Sequence, residues 1–87
     1  MEIVFLPTAL ADLKYWKESG NTITLKRIRQ LLEAIQQDPF TGIGKPEPLK
    51  YKLAGKWSLR INQEHRLIYK VENNVITVLS LRYHYIE

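Results

Sequence analysis

The sequence predicts an α+β domain: an N-terminal strand and a two-helix hairpin packed on one face of a twisted, mainly antiparallel sheet of four to five strands. Two observations predict it. Apolar residues recur at helical spacing from Leu10 to Ile35, and beyond a breaker-rich stretch they recur at every second position. The length of 87 residues adds that residues 1–87 form a single domain with one core, because a chain of this size buries only roughly 60–65% of its unfolded surface.

Glu2 to Leu6 is a short apolar run that suits a first strand. Pro7 and Thr8 then supply helix-start chemistry ahead of Leu10, Leu13 and Trp16 at helical spacing, and Gly20 stops the helix. From about Thr22, the residues Ile23, Ile28, Leu31, Leu32 and Ile35 trace a second apolar stripe. That helix ends before Asp38-Pro39, since proline drives its predecessor out of the helical region. Gly42, Gly44, Pro46 and Pro48 make 40–48 a loop. Its Gly-x-Gly-Lys lacks the spacing and the Lys-Ser/Thr ending of a phosphate-cradling P-loop.

Periodicity then changes to two. Leu49, Tyr51 and Leu53 alternate with Lys50 and Lys52, Ala54-Gly55 turns the chain, and Trp57, Leu59 and Ile61 alternate with Ser58 and Arg60. After a polar corner from Asn62 to His65, one strand runs from Arg66 to Val71, turns at Asn73-Asn74, and returns as a long strand from Val75 to Tyr83. The result is an antiparallel meander covered on one face by the helices.

Composition excludes several classes. With no cysteine there is neither a disulfide framework nor a thiolate nucleophile, and two separated histidines do not make a zinc set, so the expectation is a metal-free, cofactor-free chain. No run approaches the ~20 apolar residues of a membrane span, and the N-terminus lacks signal-peptide order, which predicts a cytoplasmic protein. The net charge of +4 is unevenly placed: Met1 to Gly44 carries five basic and five acidic residues, Lys45 to Glu87 eight and four. A basic C-terminal half favours a polyanionic partner whose affinity falls with salt.

The chemistry is concentrated at three places. Arg82-Tyr83-His84-Tyr85 brings a guanidinium, an imidazole and two phenols to the C-terminus, Glu64-His65-Arg66 opens the preceding strand, and Glu47 stands between Pro46 and Pro48, which stiffen its backbone. By strand alternation Arg82 and His84 share a face, and Arg66 lies opposite Leu67 and Tyr69. Cleavage of RNA by its own 2′-hydroxyl needs a base, a cation for the five-coordinate phosphorus, and an acid for the departing 5′-oxygen. Glu47, Arg66 and His84 suit those roles in that order, Tyr85 can hold the phosphate or orient His84, and Lys50 and Arg60 can steady flanking phosphates.

Four ordered segments, Gly44-Lys45-Pro46-Glu47-Pro48-Leu49-Lys50, 53–61 from Leu53 to Ile61, Glu64-His65-Arg66-Leu67-Ile68-Tyr69 and Arg82-Tyr83-His84-Tyr85, closely resemble the YoeB (Txe/YoeB) toxins of the RelE/ParE superfamily. The resemblance spans essentially the whole chain, including Tyr15-Trp16 and Asp38-Pro39-Phe40. It implies a RelE/ParE-like, microbial RNase-like fold and a bacterial type II toxin that cleaves messenger RNA in the A site of the 70S ribosome, leaving a 2′,3′-cyclic phosphate. It also implies a YefM-like antitoxin whose C-terminal segment wraps the toxin, and a tendency to homodimerise. On the matching positions Glu47 resembles the general base, His84 the general acid, Arg66 the transition-state cation and Tyr85 an active-site support, with Lys50, Arg60 and Glu64 as secondary substrate contacts. Leu59 stands where family members often carry a second basic residue, which implies weaker phosphate contacts, and Ile86-Glu87 extends the tail.

Two other classes compete. A non-catalytic ParE-like toxin acting on DNA gyrase has no chemical need for the terminal His-Tyr or the Pro-Glu-Pro loop. A simple RNA-binding module using basic residues and exposed tyrosines predicts binding without cleavage.

Overall fold

A computed structural model describes residues 1–83. β1 (Glu2–Phe5) leads into α1 (Pro7–Glu18) and α2 (Thr22–Gln37), and the chain then enters β2 (Glu47–Pro48), β3 (Lys56–Arg60), β4 (Arg66–Glu72) and β5 (Val75–Ser80). The sheet order is β1-β5-β4-β3-β2, with every pair antiparallel except β1 and β5. The parallel contact follows from the helical hairpin, which returns the chain to the far side of the sheet before the meander begins.

Local chemistry explains the helix limits. Pro7 occupies the first turn of α1, where its missing N–H costs nothing, and Gly20 at φ +72 accepts the left-handed conformation that ends it. Asn21 caps α2 by accepting from the Thr24 amide at 3.0 Å, and Asp38 is extended because Pro39 follows. The buried stripe of α2 is Thr24, Ile28, Leu31 and Ile35. Ile23, which spacing alone assigns to that stripe, is 82% exposed, and Leu10 also faces outward. Each sits one position off the three-four rhythm that meets the sheet.

Two strand expectations are corrected. Leu49 to Leu53 does not continue the sheet: after Glu47–Pro48 only the Leu49 amide donates to the Lys56 carbonyl, and Tyr51–Leu53 forms a 3-10 turn with Tyr51 at φ +55. Pro48 faces Trp57 at a non-hydrogen-bonded position of this edge strand, where its missing N–H takes nothing from the ladder. The last strand stops at Ser80 rather than Tyr83. Between Ile68 and Tyr69 the register with β5 shifts, Tyr69 pairing with Val78 but Ile68 with Ser80, so that Leu79 is the extra residue of a bulge. The hairpin at Asn73-Asn74 holds both residues at positive φ, as a tight turn between twisted strands requires.

The core lies between helices and sheet. Ala9, Trp16, Ile28, Leu31 and Ile35 meet Leu59, Leu67, Tyr69, Ile76, Val78 and Leu81. Leu59 is therefore a core position, and its apolar character takes nothing from any phosphate contact, contrary to the expectation raised by the family pattern. Beyond β5, α1 replaces the sheet as backbone partner: Asp12 accepts from the Leu81 amide at 2.9 Å and the Trp16 indole donates to the Leu81 carbonyl at 2.8 Å.

Candidate active site

Cross-strand register puts the chemistry on the face away from the helices. Glu47 pairs with Ser58, Arg60 with Arg66, and Ile68 with both Ser58 and Ser80, so these six side chains share one surface while Leu59, Leu67 and Tyr69 take the other. Gly44, Lys45, Glu47, Ser58, Arg60 and Arg66 line a hollow of about 60 Å³, suited to a phosphoryl group rather than a nucleobase. Its lining sets three cations around one carboxylate. Such a site attracts a phosphodiester and offers it a proton acceptor.

The loop carrying Glu47 is held from below. The Gly44 carbonyl accepts from the Arg60 amide at 3.0 Å, and Gly44 itself, at φ +83, lies so close to the core that a Cβ would come within 2.7 Å of Leu31 and 3.0 Å of Leu59. Only glycine fits there, and its close approach lets Lys45, Pro46 and Glu47 return along β3. Glu47 then enters the sheet edge in the extended conformation that its flanking prolines favour.

Arg66 is oriented by the corner preceding it. Its Nη1 donates to the Asn62 carbonyl at 2.8 Å and to the His65 carbonyl at 3.2 Å, while the Asn62 side chain accepts from the amides of Glu64 and His65, each at 2.8 Å. Both of these bonds use Nη1, and among the described residues none engages Nη2 or Nε. The Arg66 amide donates to the Tyr83 carbonyl at 2.8 Å, so the chain reaches residue 83 directly beside this arginine.

The remaining predicted residues divide. Arg60 joins the hollow, with its carbonyl held by Arg27 at 3.2 Å. Lys50 lines an adjoining depression with Glu47, Pro48 and Tyr51. Glu64 turns to the helix side, 3.1 Å from Nε2 of His65, in a depression shared with Tyr15, Trp16 and Asn21. Arg82 also departs from the hollow: with the strand ended at Ser80, its guanidinium lies 3.4 Å over the Tyr15 ring and 4.6 Å over that of Tyr83. His84 and Tyr85 lie outside the described residues. Gly44, Lys45 and Ser58 were not singled out as site residues from the sequence; the alternation of Ser58 with Leu59 and the glycine before Lys-Pro-Glu were the available signals.

A wider depression of about 730 Å³ runs along α2, lined by three glutamines, Ala34 and Ile43, with Arg27 and Glu33 as its charged groups. Among the described residues no three histidine or carboxylate side chains gather as a metal site, and no helix is long and apolar enough to cross a membrane.

Two helices on a five-stranded mixed sheet with a basic hollow define a small α+β fold; YafQ from E. coli shares it at a TM-score of 0.71 and 20% identity, a likeness of fold alone. The family is narrower than the fold. The model of the YoeB-like toxin of bacterial type II toxin-antitoxin systems matches residues 5–85, and the chain belongs to that family. It is 48% identical to Toxin YoeB of Mycobacterium bovis over 93% of this chain and 94% of that one, and 41% identical to Toxin YoeB of Escherichia coli K12 over 98% and 100%. Among solved structures, the YoeB/ParE toxin from Agrobacterium tumefaciens superposes with a TM-score of 0.93 at 36% identity, covering 98% of this chain and all of that one. The toxin of the YoeB-YefM complex from Staphylococcus aureus gives 0.87 at 45% identity, covering 98% of each.

Proposed function

We propose that this type II toxin is a ribosome-dependent, metal-independent endoribonuclease that cleaves messenger RNA in the A site by attack of the 2′-hydroxyl on the adjacent phosphorus. The observation that carries the reading is the meeting of Glu47, Arg60 and Arg66 in one hollow, with the Tyr83 carbonyl bonded to the Arg66 amide one peptide bond before His84. Glu47 takes the 2′-proton, Arg66 stabilises charge on the five-coordinate phosphorus, His84 protonates the departing 5′-oxygen and Tyr85 supports the phosphate. Lys45 and Arg60 hold flanking phosphates. The hollow is small, at about 60 Å³, so the strand must be held in line by something larger, and the decoding site supplies that positioning. The partner read from the S. aureus complex is a YefM-like antitoxin, and a YoeB dimer from the same organism supports self-association.

The test is single-turnover cleavage of ribosome-bound messenger. Replacing Glu47→Gln or His84→Gln lowers the rate by about 10²–10⁴ while ribosome binding changes little. Cleavage at the unmodified rate would dismiss the assignment of that residue.

A further inference from the structure

His65 belongs to none of the roles above, yet it is buried, at 9% exposure, beside the tail. The apolar contacts of a core histidine account for only part of its surroundings: its ring meets the edge of Trp16 at 4.9 Å and lies 6.0 Å from Tyr83. The polar contacts are more specific. Nδ1 accepts from the Tyr83 amide at 2.8 Å, which fixes the neutral Nε2–H form, and Nε2 lies 3.1 Å from the Glu64 carboxylate.

Tyr83 thus bonds residues 65 and 66 as a strand residue bonds its neighbour, except that one rung is an imidazole. His65 also organises the corner, where its backbone oxygen accepts from the amides of Ile61 at 3.0 Å and Asn62 at 3.3 Å and from Nη1 of Arg66 at 3.2 Å. Tyr83 itself sits at φ +67, a conformation that costs a non-glycine residue about 1–2 kcal/mol and that persists only where its surroundings hold it.

We propose that His65 is a positioning residue: its carbonyl aims the Arg66 guanidinium, its Nδ1 lone pair holds Tyr83, and the cation and Tyr83 are thereby set by the same residue. The inference rests on the ribonuclease reading, in which His84 follows Tyr83 directly.

Two variants separate this role from simple packing. His65→Leu keeps apolar bulk and removes the acceptor, whereas His65→Asn restores an oxygen near the Nδ1 position. In the full-length toxin, His65→Leu is expected to slow single-turnover cleavage of ribosome-bound messenger by about 10²-fold with ribosome affinity nearly unchanged. The Tyr83 amide should then exchange with solvent about 10-fold faster or more, while Leu67 and Tyr69 in β4 stay protected. His65→Asn should recover most of both effects. Equal losses in the two variants, or an unaltered Tyr83 amide in His65→Leu, would overturn the clamp. Faster Tyr83 exchange with an unchanged cleavage rate would overturn its role in positioning and leave the ribonuclease reading standing. A native chain that fails to cleave on ribosomes overturns that reading, and with it the catalytic part of the inference.

Discussion

On the helix side of the sheet Leu59, Leu67, Tyr69, Ile76 and Val78 are completely buried, whereas the same strands turn Ser58, Arg60 and Arg66 outward around a hollow closed at its edge by Glu47. Neighbours one residue apart therefore answer to different demands: one side is selected for volume, the other for charge. What keeps them apart is register alone, since a slip of one residue would bury the arginines and expose the leucines. The bulge at Leu79 shows the sensitivity, because it moves Ser80 out of the face of Ile76 and Val78 and returns Leu81 to the core.

The sharpest way to break the comparison is to truncate adjacent residues on β4. Arg66→Ala should lower single-turnover cleavage by about 10²–10³ while shifting folding stability by less than about 1 kcal/mol. Leu67→Ala should do the reverse, costing about 2–5 kcal/mol in chemical denaturation with the folded fraction still cleaving. Comparable effects of both changes on both measurements would abolish the division between faces.

Gly44 tests where the faces touch. Gly44→Ala places a methyl against Leu31 and Leu59 at a positive φ, so it should cost about 1–3 kcal/mol in equilibrium unfolding and displace Glu47 along with the loop. A melt equal to that of the parent would show that the loop stands clear of the core.

The smallest effect lies at the polar end of the core. The Tyr69 hydroxyl donates to the Pro39 carbonyl, and burial, reinforced by the Asp38 carboxylate, pushes its pKa well above the ordinary 10.0. The folded state thus favours the neutral phenol, and the stability this provides is complete below about pH 10 and lost as pH rises further. Tyr69→Phe should cost about 1 kcal/mol at neutral pH and flatten the alkaline limb of a stability–pH curve. An unchanged limb would assign alkaline unfolding to other groups.

Much of this was legible in the sequence because alternation is a local signal. Arg66 opposite Leu67, the Asn73-Asn74 turn and an extended Glu47 all follow from spacing and from proline. The parallel pairing of β1 with β5 was not, since nothing in Glu2 to Phe5 names its distant partner. Leu49 to Leu53 alternates as a strand does, yet the chain leaves the sheet after Leu49 and turns with Tyr51 at positive φ, and no count of apolar positions registers that turn. The departure of Arg82 was hidden in the same way: Asp12, Trp16 and Tyr15 draw the chain off the sheet, and their pull is tertiary. His65 was read as part of a polar corner because the acceptor role of a buried imidazole depends on a residue 18 positions away.

Leu81 takes both backbone partners from α1, across 69 and 65 positions of sequence. This residue is thus fastened by the first helix rather than by a neighbouring strand, so that damage to Asp12 or Trp16 would be felt where β5 hands the chain on toward Arg66.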